Sequence, residues 1–218
     1  MAPRIALIHV HPIAMQPVED AFKRLWPDAE RASLLDEALF YDRGKAGALT
    51  PPLFDRIVRL ADYAKVCGAD GILYTCSAFG EAIESVQKSY ALPVLKPNEA
   101  MFEAALEQGR NIGMLATASF AVAGLEQEFR DLASRRGIKA EIKTHCVSEA
   151  MHALTNGDAA EHNRLLAEAA HNLAGCDAVI LAHFSTSRAE DVVAARVDVP
   201  VLTAPGAAVA KLKRLLAA

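Results

Sequence analysis

The sequence predicts an α/β fold built from two similar lobes. Short apolar runs alternate with longer segments of helical pattern along the 218 residues. Near-continuous apolar strands separated by helices are typical of parallel sheets that carry helices on both faces. Strands are expected at 4–10, 30–35, 70–75, 92–95, 111–116, 138–144, 178–182 and 199–202, and helices at 17–26, 51–67, 79–90, 98–108, 119–136, 158–174, 187–196 and 205–217.

The two-lobe prediction comes from an internal repeat. The stretch "GADGILYTCSAFG" at 68–80 aligns with "GCDAVILAHFSTS" at 175–187, an offset of 107 residues that puts Cys76 on His183. The same offset places "RIALIHVHP" over the segment that begins "NIGMLATAS", and "LPVLKP" over "VPVLTA". A constant offset between similar elements indicates two units of one topology.

The repeat sets the expected domain boundaries. We predict a first lobe at 1–97 and a second at 98–204, with the C-terminal helix at 205–218 packing back on the first lobe. Ligands of parallel α/β sheets bind beyond the carboxyl ends of the strands, and clefts form between lobes. We therefore expect the active site in the cleft between the two lobes.

Composition excludes several classes of function. The chain is 52% hydrophobic and 23% charged with a net charge of −4, and it has no basic run that would follow a nucleic acid backbone. No apolar stretch approaches the roughly 18 residues that a membrane span needs, and the apolar start is interpreted as a first strand rather than a signal peptide. The four cysteines lack CxxC spacing, so we expect reduced thiols and a cytoplasmic protein.

Cofactor motifs are absent from the sequence. There is no GxGxxG, no GxxxxGK[ST] and no GxSxG, so neither a nucleotide site nor a nucleophile elbow is expected. Lys45 and Lys96 do not lie in a pyridoxal-type motif. His9 and His11 share a face at strand spacing, but no further ligand accompanies them, so no metal is expected. We predict chemistry without a cofactor.

Cys76 and His183 are the candidate catalytic residues. Cys76 follows a buried strand and precedes a helix, where the helix N-terminus is expected to lower the pKa of a thiol. The alternative for Cys76 is a small buried hydrophobic residue. His183 occupies the equivalent position in the second half, and a histidine there can exchange a proton near neutral pH.

Further candidates surround these two positions at the carboxyl ends of the predicted strands. Hydroxyls and backbone N–H groups at helix starts are suited to a substrate carboxylate. The predicted substrate-binding residues are His9, His11, Pro12, Thr75, Ser77, Thr117, Ser119, Phe184 and Ser185.

These residues resemble the aspartate/glutamate racemase superfamily over nearly the whole chain. The likeness rests on the duplicated lobes, "LYTCSAFG", "KPNEAMFEAAL", "IGMLAT" and "AVILAHFSTS". The resemblance implies cofactor-independent transfer of an α-proton, with Cys76 as the first catalytic group and with Ser77 and Thr117 near the substrate carboxylate. It also implies a homo-oligomer, with a dimer as the expected form. This sequence departs from the racemases at His183, where they carry a second cysteine, and at 9–12, where they hold an Asp-Ser pair.

Three functions remain open at this stage. The first is a racemase or isomerase that acts on a small carboxylic acid, with Cys76 and His183 as the acid and base. The second is a single-cysteine decarboxylase or lyase, with Phe79 or Phe184 as apolar walls, or a maleate-type isomerase with Cys76 as nucleophile. The third is a catalytically idle protein that binds a small acid.

Overall fold

The structure, a computed structural model, describes residues 2–217. The chain forms two compact units. One contains the residues up to Pro97 together with those from Ala208 onward, and the other is Asn98–Ala207.

The first unit holds a four-stranded parallel sheet in the order β2-β1-β3-β4. Its strands are β1 (Arg4–His9), β2 (Glu30–Leu35), β3 (Gly71–Tyr74) and β4 (Val94–Leu95). Its helices are α1 (Met15–Leu25), α2 (Glu37–Ala46), α3 (Pro51–Val66) and α4 (Gly80–Ser89), with 3-10 turns at Pro12–Ala14 and Ser77–Phe79.

The second unit repeats this sheet in the order β6-β5-β7-β8, again all parallel. Its strands are β5 (Asn111–Ala116), β6 (Glu141–Cys146), β7 (Ala178–Leu181) and β8 (Val201–Thr203). Its helices are α5 (Glu99–Gln108), α6 (Ser119–Arg135), α7 (Ser148–Thr155), α8 (Ala159–Ala169) and α9 (Glu190–Ala194), with 3-10 turns at Ala170–Leu173 and Ser185–Ala189. Helix α10 (Ala204–Leu216) begins in this unit and continues into the first.

Both faces of the first sheet are covered, which explains why β3 is buried at every residue. On one face, Ile8 and Tyr74 belong to a core cluster with Ile57 of α3. On the other face, Leu212 of α10 lies 3.2 Å from where a Cβ at Gly71 would be. Central strands of a parallel sheet are apolar throughout because neither face meets water.

The two sheets share one pairing register. Ile5 pairs with Gly71 in the first unit, and Ile112 pairs with Ala178 in the second, each 107 residues further on. The exception is β6, which follows β2 by 111 residues because the chain between α6 and β6 is longer. The repeat seen in the sequence is therefore a repeat of hydrogen-bonded register.

The turn before the third strand of each sheet is also duplicated. Gly68 and Gly175 have φ values of 75° and 84°, which an L side chain rarely adopts. Two residues later, Asp70 accepts a hydrogen bond from the backbone N–H of Arg4 at 2.8 Å, and Asp177 accepts one from Asn111 at 2.8 Å. These carboxylates fasten the turn to the start of the central strand.

The structure corrects several predicted elements. Helices α2 and α7 fall in segments for which no element was predicted. The strand predicted at 138–144 lies at Glu141–Cys146. The helices predicted at 158–174 and 187–196 are each divided between an α-helix and a 3-10 turn, and the helix predicted from 79 begins only at Gly80, after the turn Ser77–Phe79. The polar residues at these helix ends form short local hydrogen bonds that favour 3-10 geometry.

Candidate active site

Cys76 lies at the carboxyl end of β3, two residues beyond the pair formed by Ile8 and Tyr74. The backbone N–H of Thr75 still bonds to the carbonyl of Ile8 at 3.1 Å, so the strand delivers Cys76 just past its last ladder bond. The side chain is half-buried against the core cluster that contains Tyr74. The thiol is therefore held by a rigid strand at the edge where parallel sheets bind ligands.

The pKa of Cys76 is raised, contrary to the sequence prediction. Burial is the main cause and favours the uncharged thiol. A backbone hydrogen bond from Ala78 and the positive charge of Arg43 act in the opposite direction but do not outweigh it. The prediction was wrong because a 3-10 turn of three residues intervenes before α4, so the thiol does not lie at that helix's N-terminus.

Arg43 is a site residue that sequence reasoning missed. It belongs to α2, and its Nε donates a hydrogen bond to the carbonyl of Ala78 at 3.2 Å. Its charge acts on Cys76. A guanidinium held by Nε keeps its two terminal nitrogens in a fork that suits a carboxylate. The available signal was a lone arginine after "LFYD", which has no meaning until α2 is known to exist.

His9 is completely buried and bonds to Thr75. Its Nδ1 lies 3.0 Å from Thr75 Oγ1, and that hydroxyl lies 3.3 Å from the carbonyl of Ile8. Because a hydroxyl has one proton, donation to Ile8 leaves His9 Nδ1 as the donor to Thr75. His9 Nε2 is then an acceptor, and it is buried without a partner. Burial lowers the pKa of His9 to about 4.

His11 has different surroundings from His9. Strand β1 ends at His9, so the alternation of a strand does not continue to His11. The His11 ring packs edge-on against Phe40 with centroids 4.9 Å apart, and its Nδ1 accepts a hydrogen bond from the backbone N–H of Ile13 at 3.2 Å. Pro12 begins the 3-10 turn that follows.

The second unit places Thr117 and His183 at the ends of adjacent strands. Each lies two residues beyond the pair formed by Leu115 and Leu181. Thr117 is 2% exposed, and its Oγ1 has no hydrogen-bond partner; His183 Nε2 is likewise buried and unpartnered. Buried polar atoms are nearly always bonded, so two orphans at neighbouring strand ends indicate a place for a polar ligand group.

His183 has an unusual backbone as well as an orphaned nitrogen. Its φ is 75°, and it is the one non-glycine residue with positive φ among residues 2–217. Such a conformation costs energy and is found more often at functional sites. Burial lowers the pKa of His183 to about 4, so the imidazole is neutral at neutral pH. Thr186 Oγ1 donates to the His183 carbonyl at 2.8 Å and helps to hold this turn.

The remaining predicted substrate-binding residues differ in exposure. Ser77 and Ser119 are exposed, whereas Phe184 and Ser185 are buried. Ser119 begins α6 but makes no capping bond. Phe79, an expected apolar wall, is 1% exposed and belongs to the core of the first unit. Phe79 therefore supports the sheet and does not face a ligand.

Two further searches covered residues 2–217. No three His, Cys, Asp or Glu side chains in this range form a group that could hold a metal ion. No helix within it is long and apolar enough to span a membrane.

The family of the chain follows from comparison with known sequences. The model of the Asp/Glu/Hydantoin racemase family matches residues 42–212, which include Cys76 and His183. The chain belongs to the Asp/Glu/Hydantoin racemase family. No curated protein sequence gives a significant match. Family membership supports a racemase-type enzyme.

Solved structures of this family share the fold. An aspartate racemase homologue from Pyrococcus horikoshii superimposes with a TM-score of 0.75 at 14% identity, over 99% of each chain. Glutamate racemase from Francisella tularensis in complex with D-glutamate gives 0.68 at 14% identity, over 99% of this chain and 81% of that one. A mutant of arylmalonate decarboxylase gives 0.68 at 18% identity, over 99% and 94%. The two-unit parallel α/β architecture is thus that of the racemase fold.

Proposed function

We propose that this chain is a cofactor-independent racemase-type enzyme that transfers a proton at the α-carbon of a small carboxylic acid. Cys76 carries the proposal. It is a protonated thiol at the end of a central strand, bonded by Ala78 and placed beside the guanidinium of Arg43. A thiol next to a carboxylate-binding group can give its proton to a carbon that bears negative charge.

His183 is proposed as the second proton-transfer group acting on the same substrate. It occupies the position equivalent to Cys76, and its Nε2 lone pair or proton is uncommitted within the protein. Its pKa of about 4 makes a weak base in the empty site. A bound carboxylate raises the pKa of a neighbouring imidazole, because the negative charge favours the protonated form. Substrate binding therefore makes His183 a better base.

In the proposed reaction, His183 takes the α-proton and the electron pair of the C–H bond passes into an enediolate. Donors around the carboxylate, namely Arg43 and the hydroxyl of Thr117, stabilise this charge. The Cys76 Sγ–H bond then breaks, and its proton goes to the α-carbon on the other face, which inverts the configuration. Solvent returns the enzyme to its starting protonation state.

A second candidate function is decarboxylation, and the raised pKa of Cys76 favours it. In that reaction the bond from the α-carbon to a carboxylate breaks, CO₂ leaves, and the electron pair forms the enediolate. The Cys76 thiol then supplies the proton. This chemistry needs an acid and no base, which matches a neutral thiol and a weakly basic His183.

The test is proton NMR in D₂O with a panel of small acids. The panel contains both enantiomers of aspartate and glutamate, a hydantoin, maleate, malonate and an arylmalonate. Inversion with deuterium at the α-carbon identifies a racemase, whereas loss of CO₂ with one deuterium identifies a decarboxylase. Cys76→Ser should abolish either conversion, and Cys67→Ser, at the end of α3, should not. Conversion that survives in Cys76→Ser would contradict the proposal.

A further inference from the structure

An apolar surface lies at the same sheet edge as Cys76. Leu35, Phe40 and Tyr41 are 41%, 47% and 59% exposed. Leu35 is the last residue of β2 and pairs with His9, so it lies at the carboxyl edge of the sheet. Phe40 packs edge-on against Tyr41, with centroids 5.7 Å apart, as well as against His11. We call Leu35, Phe40, Tyr41 and His11 the aromatic edge.

A continuous series of contacts links the aromatic edge to the thiol. His11 follows the end of β1, the strand that pairs directly with β3. Phe40 contacts His11 from α2, and Arg43 lies on the same face of α2, three residues further on. Arg43 then bonds to Ala78, whose N–H bonds to Cys76. Helix α2 therefore holds an apolar ring and a guanidinium on the two sides of one thiol.

This arrangement has the chemistry of a binding site for one kind of molecule. The terminal nitrogens of Arg43 suit a carboxylate, and the ring of Phe40 suits an apolar group about one helical turn away. A carbon that joins the two groups would lie near Cys76. The apolar walls expected from sequence do not serve here, because Phe79 is part of the core.

We infer that the substrate carries an aryl or bulky alkyl substituent on its α-carbon, and that Phe40, packed against His11, is the residue that selects it. This inference rests on the proposed function, because it assumes that the carboxylate and the α-carbon bind beside Arg43 and Cys76. Burial of an aromatic group against such a wall contributes about 1–3 kcal/mol to binding. The aromatic edge then has the role of a specificity pocket and not of a folding contact.

The test compares two acids that differ by one phenyl group, malonate and phenylmalonate, by isothermal titration calorimetry. The wild-type protein should bind phenylmalonate at least about tenfold more tightly than malonate. Phe40→Ala should remove most of this advantage, and Phe40→Leu should restore part of it. Tyr63→Ala is the matched control, since Tyr63 is an equally exposed aromatic residue near the C-terminal end of α3. It should leave the advantage intact.

Equal binding of the two acids, no binding of either, or an advantage that survives in Phe40→Ala would each overturn the inference. Circular dichroism on each variant checks that it folds, which is expected because the Phe40 ring is half-exposed. The readout is binding, so it does not depend on turnover. If phenylmalonate binds through Phe40 but no acid on the panel reacts in D₂O, the proposed function fails while the specificity assignment stands.

Discussion

Cys76 and His183 occupy equivalent positions in two sheets of identical register. Cys76 lies two residues beyond the pair Ile8–Tyr74, and His183 lies two residues beyond the pair Leu115–Leu181. The duplicated strand end therefore carries a thiol in one unit and an imidazole in the other. Burial acts on the two groups in opposite directions along the pH scale, raising the pKa of the thiol and lowering that of the imidazole. Both groups are uncharged at neutral pH.

Replacing Thr117 by valine should weaken ligand binding without destabilising the fold. The Thr117 hydroxyl is buried and unpartnered, so an isosteric methyl removes a desolvated group that bonds to nothing in the empty protein. The free energy of unfolding should stay the same or rise, whereas binding of a carboxylic acid should weaken by about tenfold or more. Urea unfolding and calorimetric titration measure the two effects.

Thr203→Val is the matched control for Thr117→Val. Thr203 is also a buried threonine at a strand end, but its hydroxyl accepts a hydrogen bond from the backbone N–H of Gly206 at 3.3 Å. Its loss should cost about 1 kcal/mol of stability and leave binding unchanged. If Thr117→Val destabilised the protein as much as Thr203→Val, Thr117 would be a structural residue.

Stability should fall as the pH drops from about 6.5 to about 4, and His9 should account for part of the fall. The buried His9 keeps a pKa of about 4 in the folded protein, whereas the unfolded chain protonates near 6.5. The unfolded state binds the extra proton in this range, so acid favours unfolding by up to about 3 kcal/mol. His9→Gln should flatten the dependence of the unfolding free energy on pH. His152→Gln, at an exposed histidine of α7, should not; an unchanged slope in His9→Gln would refute the assignment.

Arg43→Lys should weaken binding of small carboxylic acids by about tenfold, even though it keeps the charge. A lysine presents one ammonium and cannot reproduce the fork of a guanidinium whose Nε is held by Ala78. Arg59→Lys, an exposed arginine on α3, is the control and should bind as the wild type does. Equal affinities in Arg43→Lys and wild type would show that Arg43 does not contact the carboxylate.

The duplicated strands could be predicted because their pattern is local and strong. Buried parallel strands such as 70–75 and 178–182 must be apolar at every position, and each is followed by a chemically distinctive residue. The glycine and aspartate that precede them have a backbone role that repeats with the strand. These features survive in a single sequence because they depend on neighbours within a few residues.

Helix α2 could not be predicted for the opposite reason. Of its ten residues, only Leu39 is buried, so it lacks the apolar stripe by which a helix is recognised. Arg43 and Phe40 were missed with it, since their importance comes from Ala78 and His11, which are distant in sequence. The pKa of Cys76 was predicted in the wrong direction because burial, which dominates it, depends on packing that a sequence does not display.

The most direct test of this account is titration of the Cys76 thiol itself. Cys67, Cys146 and Cys176 are replaced by alanine, and the rate of alkylation by iodoacetamide is followed from pH 5 to pH 11. We expect a midpoint above the value of about 8.5 that is usual for a free thiol, because burial favours the protonated form. A thiol that is protonated at neutral pH can act as the proton donor proposed here. A midpoint below pH 7 would mean a resting thiolate, and it would contradict the assignment of Cys76 as the donor.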